Sequence, residues 1–453
     1  MQQTLYMEVI GSLSEKGFSL DELVVKVKQV LDQKGAPGVI ELLLMLFDEA
    51  LCRSVAADHA DGWRPRPCCQ SPWYEFHGKR ERGFRTSAGR LGIFWTRLRC
   101  QRCGKTVIPL REFLGVAAYQ PKTAELERVV AQTVSETSYR RSTKELALVG
   151  DIPVPKSTAH RWVMQSDCDE IRTDGKLVDV LFADGTGYKR RPDPDKGLDN
   201  KGELKVAMGI RRDGVVVPFG CWSGLSWEEV GKAIRGNTEL AEVPCDEHDR
   251  PAQILMTDGE RKLAEGLADL ANDQARCQWH AVRQLYHPMW RQGAKQKEYQ
   301  EAQGRLAGVL GIEVPAEDFK LVSEAEKEQI AQSVQKAEQG VEQLACDLAA
   351  KGYSEAASYL RNAKDKLFTH IRFWLKTGLL PTRTSSLIER MMRELGRRLK
   401  KIAFGWSERG AAKIARIILK RITSAAEWDE YWTKRLRMEN NVAVVLIGPR
   451  VKS

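Results

Sequence analysis

Val178-Asp-Val-Leu-Phe-Ala-Asp184-Gly185-Thr186-Gly187 decides how the chain reads. The run is apolar and reads as a buried strand that ends on a carboxylate and a glycine-rich turn. The signature returns at Ile254-Leu-Met-Thr-Asp258-Gly259-Glu260. Between them, Leu204–Ile210 and Val215–Cys221 read as two strands joined at Arg211-Arg212-Asp213-Gly214, whose Asp-Gly is a hairpin signal. A fifth strand-like run is expected at Ala275–Trp279. Ser385-Ser386-Leu-Ile-Glu389 then falls in a helix, with Arg393, Arg397, Arg398, Lys400 and Lys401 beyond it. A single Asp-Gly is ordinarily a turn. Two at strand ends, followed by a basic helix carrying Glu389, point to chemistry instead.

Strand–Asp, hairpin, strand–Asp, strand, helix–Glu is the order of an RNase H-like catalytic core, an α/β arrangement. Hard divalent cations need oxygen ligands on a rigid frame, and neighbouring strand ends supply one. Two such ions activate an attacking hydroxyl and stabilise the leaving oxygen of a phosphodiester. The chain has no GxxxxGK[ST] phosphate loop, no GxSxG and no HExxH.

The 453 residues suggest several domains, and a content of 29% charged and 42% hydrophobic residues is globular. No stretch approaches a membrane span, and the N-terminus lacks a signal-peptide pattern, so a cytoplasmic protein is expected. The net charge of +10 is uneven. Residues 61–112 hold 12 basic and 4 acidic residues, and 381–421 hold 12 basic and 3 acidic. Such segments suit a polyanion, nucleic acid first, or else are solvated helix faces.

The ten cysteines do not form a disulfide framework. Cys100-Gln-Arg-Cys103-Gly104 is a CxxC knuckle able to grip zinc. Cys68-Cys69 lies upstream, and His77, His59 or Cys52 could supply a ligand instead. The alternative is a set of buried or free thiols. Around the knuckle, Arg80, Arg82, Arg85, Arg90, Arg97 and Arg99 would face phosphates.

Ser142-Thr143 can cap a helix through Leu148, and Lys156–Val163 reads as a second helix after a turn at Gly150 to Pro155. This is either a helix-turn-helix, with Ser157, Thr158, His160 and Arg161 on its exposed face toward DNA, or a plain helical hairpin. Trp222, Trp227, Trp279, Trp290, Trp374 and Trp406 read as packing residues, and Val442–Ile447 as a lone strand.

On these pieces the chain resembles bacterial insertion-sequence transposases of the DDE class, in the broad Mutator-related group. The matching residues are His77-Gly-Lys-Arg, Arg99-Cys-Gln-Arg-Cys103-Gly, Phe182-Ala-Asp184-Gly, Thr257-Asp258-Gly, Cys277-Gln-Trp-His280 and Ser386-Leu-Ile-Glu389-Arg390. The resemblance implies Asp184, Asp258 and Glu389 as the metal-binding catalytic triad, served by Mg²⁺ or Mn²⁺, and a helical insertion before the Glu. It departs from the group at Cys68-Cys69, which leaves the zinc ligand set among Cys68, Cys69, Cys100 and Cys103 open. Cys277 and His280 would be half a zinc site, a contact to the scissile phosphate, or a structural strand end.

The expected organisation is a helical region at 1–60, a zinc-ribbon-like module at 61–112 and a helix-turn-helix region at 113–172. The core would run over 173–290, be interrupted by a helical insertion at 291–380, resume with the catalytic helix at 381–430 and end in a tail at 431–453. Arg390, Arg393, Arg397, Lys400 and Lys401 would hold double-stranded DNA beside Glu389. The implied function is to bind element ends, cut them and join 3′-OH groups to target DNA. It implies a homodimer or larger assembly on DNA in the bacterial nucleoid, with no membrane. The rivals are a domesticated, non-catalytic DNA-binding protein and a structure-specific nuclease.

Overall fold

The structure, a computed structural model, describes residues 20–56, 65–70, 73–150, 152, 154–172, 177–236, 250–315, 318–401 and 405–436. His59 and Val442–Ile447 lie outside the described residues. The chain forms two compact units, Met1–Val134 with Tyr139–Val163, and Ser135–Ser138 with Met164–Ser453.

In the first unit, helix α1 (Leu20–Ala56) kinks at Gly35, whose φ of 45° favours glycine. The helical path is interrupted at Gly35 and resumes through Pro37. Strands β1 (Tyr74–Thr86) and β2 (Gly89–Cys100) form a long antiparallel hairpin, and β3 (Thr106–Val107) pairs with β2. Thr86 Oγ1 closes the hairpin by donating to Gly89 O at 2.8 Å. Leu51 of α1 packs with Phe84, Leu91, Ile93, Trp95 and Leu110. Helices α2 (Pro109–Phe113), α3 (Ala124–Glu136), α4 (Tyr139–Gly150) and α5 (Lys156–Gln165) follow.

Ser142 is not a cap. It lies inside α4, fully buried, and its hydroxyl donates to Thr133 O at 3.1 Å. Once that hydroxyl is satisfied by α3 it no longer competes with the helix, which begins earlier, at Tyr139.

The second unit holds β4 (Val178–Lys189), β5 (Lys201–Ile210), β6 (Val216–Ser223), α6 (Trp227–Gly236), β7 (Ala252–Thr257), α7 (Arg261–Gly266) and β8 (Ala271–Arg276). The sheet order is β6-β5-β4-β7-β8. The first three strands are antiparallel meanders, and β7 and β8 run parallel to β4. Leu181, Ala183 and Leu255 pack with Trp227, Val230, Ile234 and Leu263 on one face. Side chains alternate along a strand, so Phe182 and Asp184 face the opposite side.

Two strand expectations are corrected. Asp184 does not end its strand, because β4 continues to Lys189 paired with β5 throughout. Gly185 and Gly187 stay in the ladder, and a Cβ at Gly185 would press on Glu203 and Trp227. The fifth strand lies earlier than Ala275–Trp279, because β8 ends at Arg276 and Gln278 already opens a helix.

That helix, α8 (Gln278–Gln284), leads into α9 (Tyr286–Arg291), α10 (Gln296–Val309), α11 (Glu324–Ala350), α12 (Ser354–Leu367) and α13 (Thr369–Thr377). They share a core that includes Leu285, Met289, Leu306, Val341, Leu344, Leu360 and Phe368. Thr369 Oγ1 donates to Gln274 O at 2.8 Å and Lys366 Nζ to Gln274 Oε1 at 2.7 Å, fastening this helical module beside β8.

The chain then returns to the sheet. Helix α14 (Ser386–Leu399) packs on β4, and α15 (Glu408–Thr423) on β6 and β5, before α16 (Ala425–Leu436). No described helix is long and apolar enough to cross a membrane.

Candidate functional site

Phe182 of β4 sits opposite Met256 of β7 in a parallel ladder. Two residues further along the chain stand Asp184, still within β4, and Asp258, the first residue after β7. Parallel neighbours are about 4.8 Å apart, so the sheet itself brings the two carboxylates side by side. Helix α14 contributes Glu389, in its first turn.

Asp184 is pushed up to about 6 by burial and by the charge of Asp258, with Glu389 adding to it, against a backbone hydrogen bond from Gly185 and the attraction of His280. A cation would relieve the repulsion that Asp258 and Glu389 exert on Asp184. Their oxygens are the hard donors that Mg²⁺ or Mn²⁺ takes, so residue type and placement fit such an ion.

The turn after Asp258 is glycine for two reasons. Gly259 has a φ of 97°, and a Cβ there would fall on the guanidinium of Arg276. Arg276 is buried and donates to Gln284 Oε1 at 2.8 Å and Tyr359 OH at 2.9 Å. It thereby props the Asp258–Gly259 turn from β8 and ties it to α12.

Glu389 does not close on the aspartates. The three carboxylates are not within 4.8 Å of one another, whereas Cys277, His280 and Glu389 are. Ser385 Oγ donates to Glu389 Oε1 at 2.9 Å and lies 3.2 Å from His280 Nδ1. Ser385 N donates to Cys277 Sγ at 3.4 Å.

Cys277 sits at the end of β8, its N–H donating to Thr257 O at 2.9 Å, and is the N-cap of α8, while His280 lies in that helix's first turn. Burial opposes the charged form of both. Hydrogen bonds from His280 and Ser385 nevertheless bring the Cys277 thiol below its ordinary value. Cys277, Glu389 and Asp258 likewise raise His280 above the ordinary imidazole value. Among the described residues this group holds no second cysteine pair, and it gathers around Ser385. Ser385 and Arg276 were missed as site residues. Serine four residues before a helical Glu is a readable signal, whereas the Arg276 role depends on a register that sequence does not display.

The four cysteines Cys68, Cys69, Cys100 and Cys103 come within 4.8 Å of one another. Cys69 Sγ lies 3.8 Å from Cys100 Sγ, and Cys103 Sγ 3.5 Å from Cys68 Sγ. Tetrahedral zinc with Zn–S bonds of about 2.3 Å requires sulfurs about 3.8 Å apart, so the group could bind zinc. Adjacent cysteines can both reach because they lie outside the strands, in an irregular segment facing the β2 knuckle. Gly104, φ 72°, donates its N–H to Cys100 O at 2.8 Å and makes the tight turn. The Cys100 thiol is lowered to about 6 by the Cys103 backbone N–H against burial. Neither His77 nor Cys52 belongs to this group.

The proposed DNA-facing residues divide. On α5, Ser157, His160 and Arg161 are exposed and Thr158 half-buried, with Ala159, Trp162 and Val163 inward. On α14, Arg390, Arg393, Arg397, Lys400 and Lys401 are all exposed, but Arg397 pairs with Glu394 at 2.9 Å and Glu136 at 3.2 Å. Elsewhere in the basic segment Arg383 and Arg409 are exposed, Arg398, Lys413 and Lys420 are buried, and Arg416 and Arg421 are half-buried. Lys413 and Arg416 pair with Asp169 at 2.8 and 2.7 Å, and Arg421 with Glu136 at 2.7 Å. In the ribbon, Arg80, Arg90 and Arg99 are exposed, while Arg82, Arg85 and Arg97 are half-buried. Trp227, Trp374 and Trp406 pack, but Trp279 is 45% and Trp290 65% exposed.

No family model and no curated protein matches the chain. A solved structure, the Drosophila P element transposase strand transfer complex, is similar over 69% of this chain and 81% of that chain, at 12% identity and a TM-score of 0.24. Likeness at that level establishes neither a family nor a fold.

Proposed function

We propose that the chain is a DDE-type transposase that cuts DNA at the ends of its own element and joins the 3′-OH ends to target DNA. The sheet order and its mixed directions support an RNase H-like core. The observation that carries the reading is the parallel pairing of β4 and β7, with Asp184 two residues past the paired Phe182, Asp258 just beyond the end of β7, and Glu389 on the helix packed against β4.

On this reading Asp184, Asp258 and Glu389 hold Mg²⁺ or Mn²⁺. The bound metal supplies Lewis acidity, which activates the attacking hydroxyl and stabilises the leaving oxygen. In the first step a water oxygen bonds to phosphorus and the P–O3′ bond breaks, freeing a 3′-OH. In the second step that oxygen attacks a target phosphorus, displaces the target's own 3′ oxygen, and the proton passes to solvent. Ser385 fixes Glu389, and Cys277 and His280 fix Ser385. Arg390 and Arg393 hold the phosphate backbone beside the cut. The Cys68, Cys69, Cys100 and Cys103 group carries structural zinc, and α4 and α5 recognise the ends.

The test uses DNA flanking the reading frame, supplied with an exposed 3′-OH, and measures strand joining with Mg²⁺. Asp184→Asn, Asp258→Asn and Glu389→Gln should each lower cleavage and joining by roughly a hundredfold or more while binding to ends survives. Cleavage without joining would indicate a nuclease. Binding without either would indicate a DNA-binding protein.

A further inference from the structure

Beside the Ser385 group, α8 and α9 carry side chains that the reaction above does not use. Trp279 is 45% exposed, although Gln278 and Ala281 of the same helix are buried. Its ring stands edge-on to His280, centroids 4.8 Å apart. The Arg283 guanidinium lies 4.8 Å over the indole and makes no ion pair among the described residues. Next to them opens a cleft of about 270 Å³, lined by His280, Arg283, Gln284, Tyr286 and His287. His280, Arg283 and His287 recur at spacings of three and four, one face of a helical segment. Packing does not account for an indole left 45% exposed beside a cleft.

We propose that this cleft receives one unpaired nucleotide of the strand being cut, with its base on the Trp279–Arg283 stack and its phosphate toward Arg283 and the imidazoles. The size admits a base and its phosphate, and a duplex is far wider. An aromatic face accepts any base, so the site would be tolerant of sequence. The cation and the two imidazoles complement a phosphate. His280 belongs both to this cleft and to the Glu389 group, which puts the nucleotide next to the scissile position. The identity of the strand rests on the transposase reading. The nucleotide site itself rests on the cleft.

The full-length protein is titrated, without divalent metal, with a fluorescent blunt duplex and with the same duplex carrying one bulged nucleotide. Wild type should prefer the bulged duplex. Trp279→Ala should weaken binding to it by roughly fivefold to a hundredfold, the range of base–aromatic stacking, and barely affect the blunt duplex. Trp279→Phe, which keeps an aromatic face, should retain most of the preference and controls for folding. Equal losses on both duplexes, no loss on either, or no preference in wild type would each overturn the proposal. Binding needs no catalysis, so the two readings fail separately. Persistent cleavage by Asp184→Asn would sink the transposase assignment and leave this titration standing.

Discussion

The Asp184 carboxyl carries a measurable penalty. Burial and the charge of Asp258 raise it from 3.8 to about 6 on folding. A raised carboxyl costs nothing below its unfolded value and costs stability as pH rises through its folded one. The shift corresponds to about 3 kcal/mol once both states are ionised. Metal-free protein should therefore lose Tm between about pH 4 and pH 7, and Asp184→Asn should lose less. Mg²⁺ should restore the wild-type Tm near the upper pH and do little near the lower. A Tm equally responsive to Mg²⁺ at both would mean that Asp184 does not face the ion. A second residue-scale expectation concerns Gly259. Gly259→Ala must strain a φ of 97° and displace Arg276. It should cost about 1–3 kcal/mol in denaturant unfolding and weaken the Mg²⁺-induced gain in Tm. An unperturbed variant would show that Arg276 does not prop this turn.

Elements separate what charge counting merges. The basic segment 381–421 reads as one DNA-gripping surface, yet α15 turns Lys413 and Arg416 inward to Asp169. On α14 the exposed set remains, with Arg397 partly neutralised by Glu394 and Glu136. Neutralising Arg390, Arg393 and Lys400 together should reduce the slope of log K against log salt by about 2–3, near 0.9 per lost phosphate contact. An unchanged slope would mean the face is merely solvated. The ribbon gives a parallel expectation. The purified chain should contain one zinc, and Cys100→Ser should lose it and open β1–β3 to proteolysis, because structural zinc supplies folding energy. A zinc-free chain with a protected ribbon would contradict this. The strand carrying Asp184, the strand before Asp258 and the hairpin between them were legible because strand periodicity and the Asp213-Gly214 turn are local. Gly185 was misread as a turn because its pairing with β5 is long-range. Cys68-Cys69 stayed ambiguous because only tertiary approach to the knuckle makes adjacent thiols useful.

Among the described residues of the whole molecule there are three hydrophobic cores, one around Trp95 and Leu51 in the first unit, and two in the second, around Leu181 and Trp227 and around Leu344 and Phe368. Separate cores predict separable unfolding. Calorimetry of the full chain should resolve two transitions. Removing zinc through Cys100→Ser should lower one, and adding Mg²⁺ should raise the other, since a ligand stabilises only the unit that binds it. A single transition moved by both treatments would show one cooperative block.

The helical module between β8 and α14 also sets a timetable. Glu389 leaves the ribosome well after Asp258, roughly ten seconds or more later at ordinary synthesis rates, and α10–α13 emerge in between. A growing chain thus has its aspartates in register long before it can cut. On the proposed reading, the nascent protein is harmless to the chromosome beside which it is made. Premature termination anywhere in the module would leave a fragment without Glu389, still carrying the ribbon and helices proposed to hold DNA. Such a fragment would be an inhibitor in waiting, occupying the element's ends without opening them.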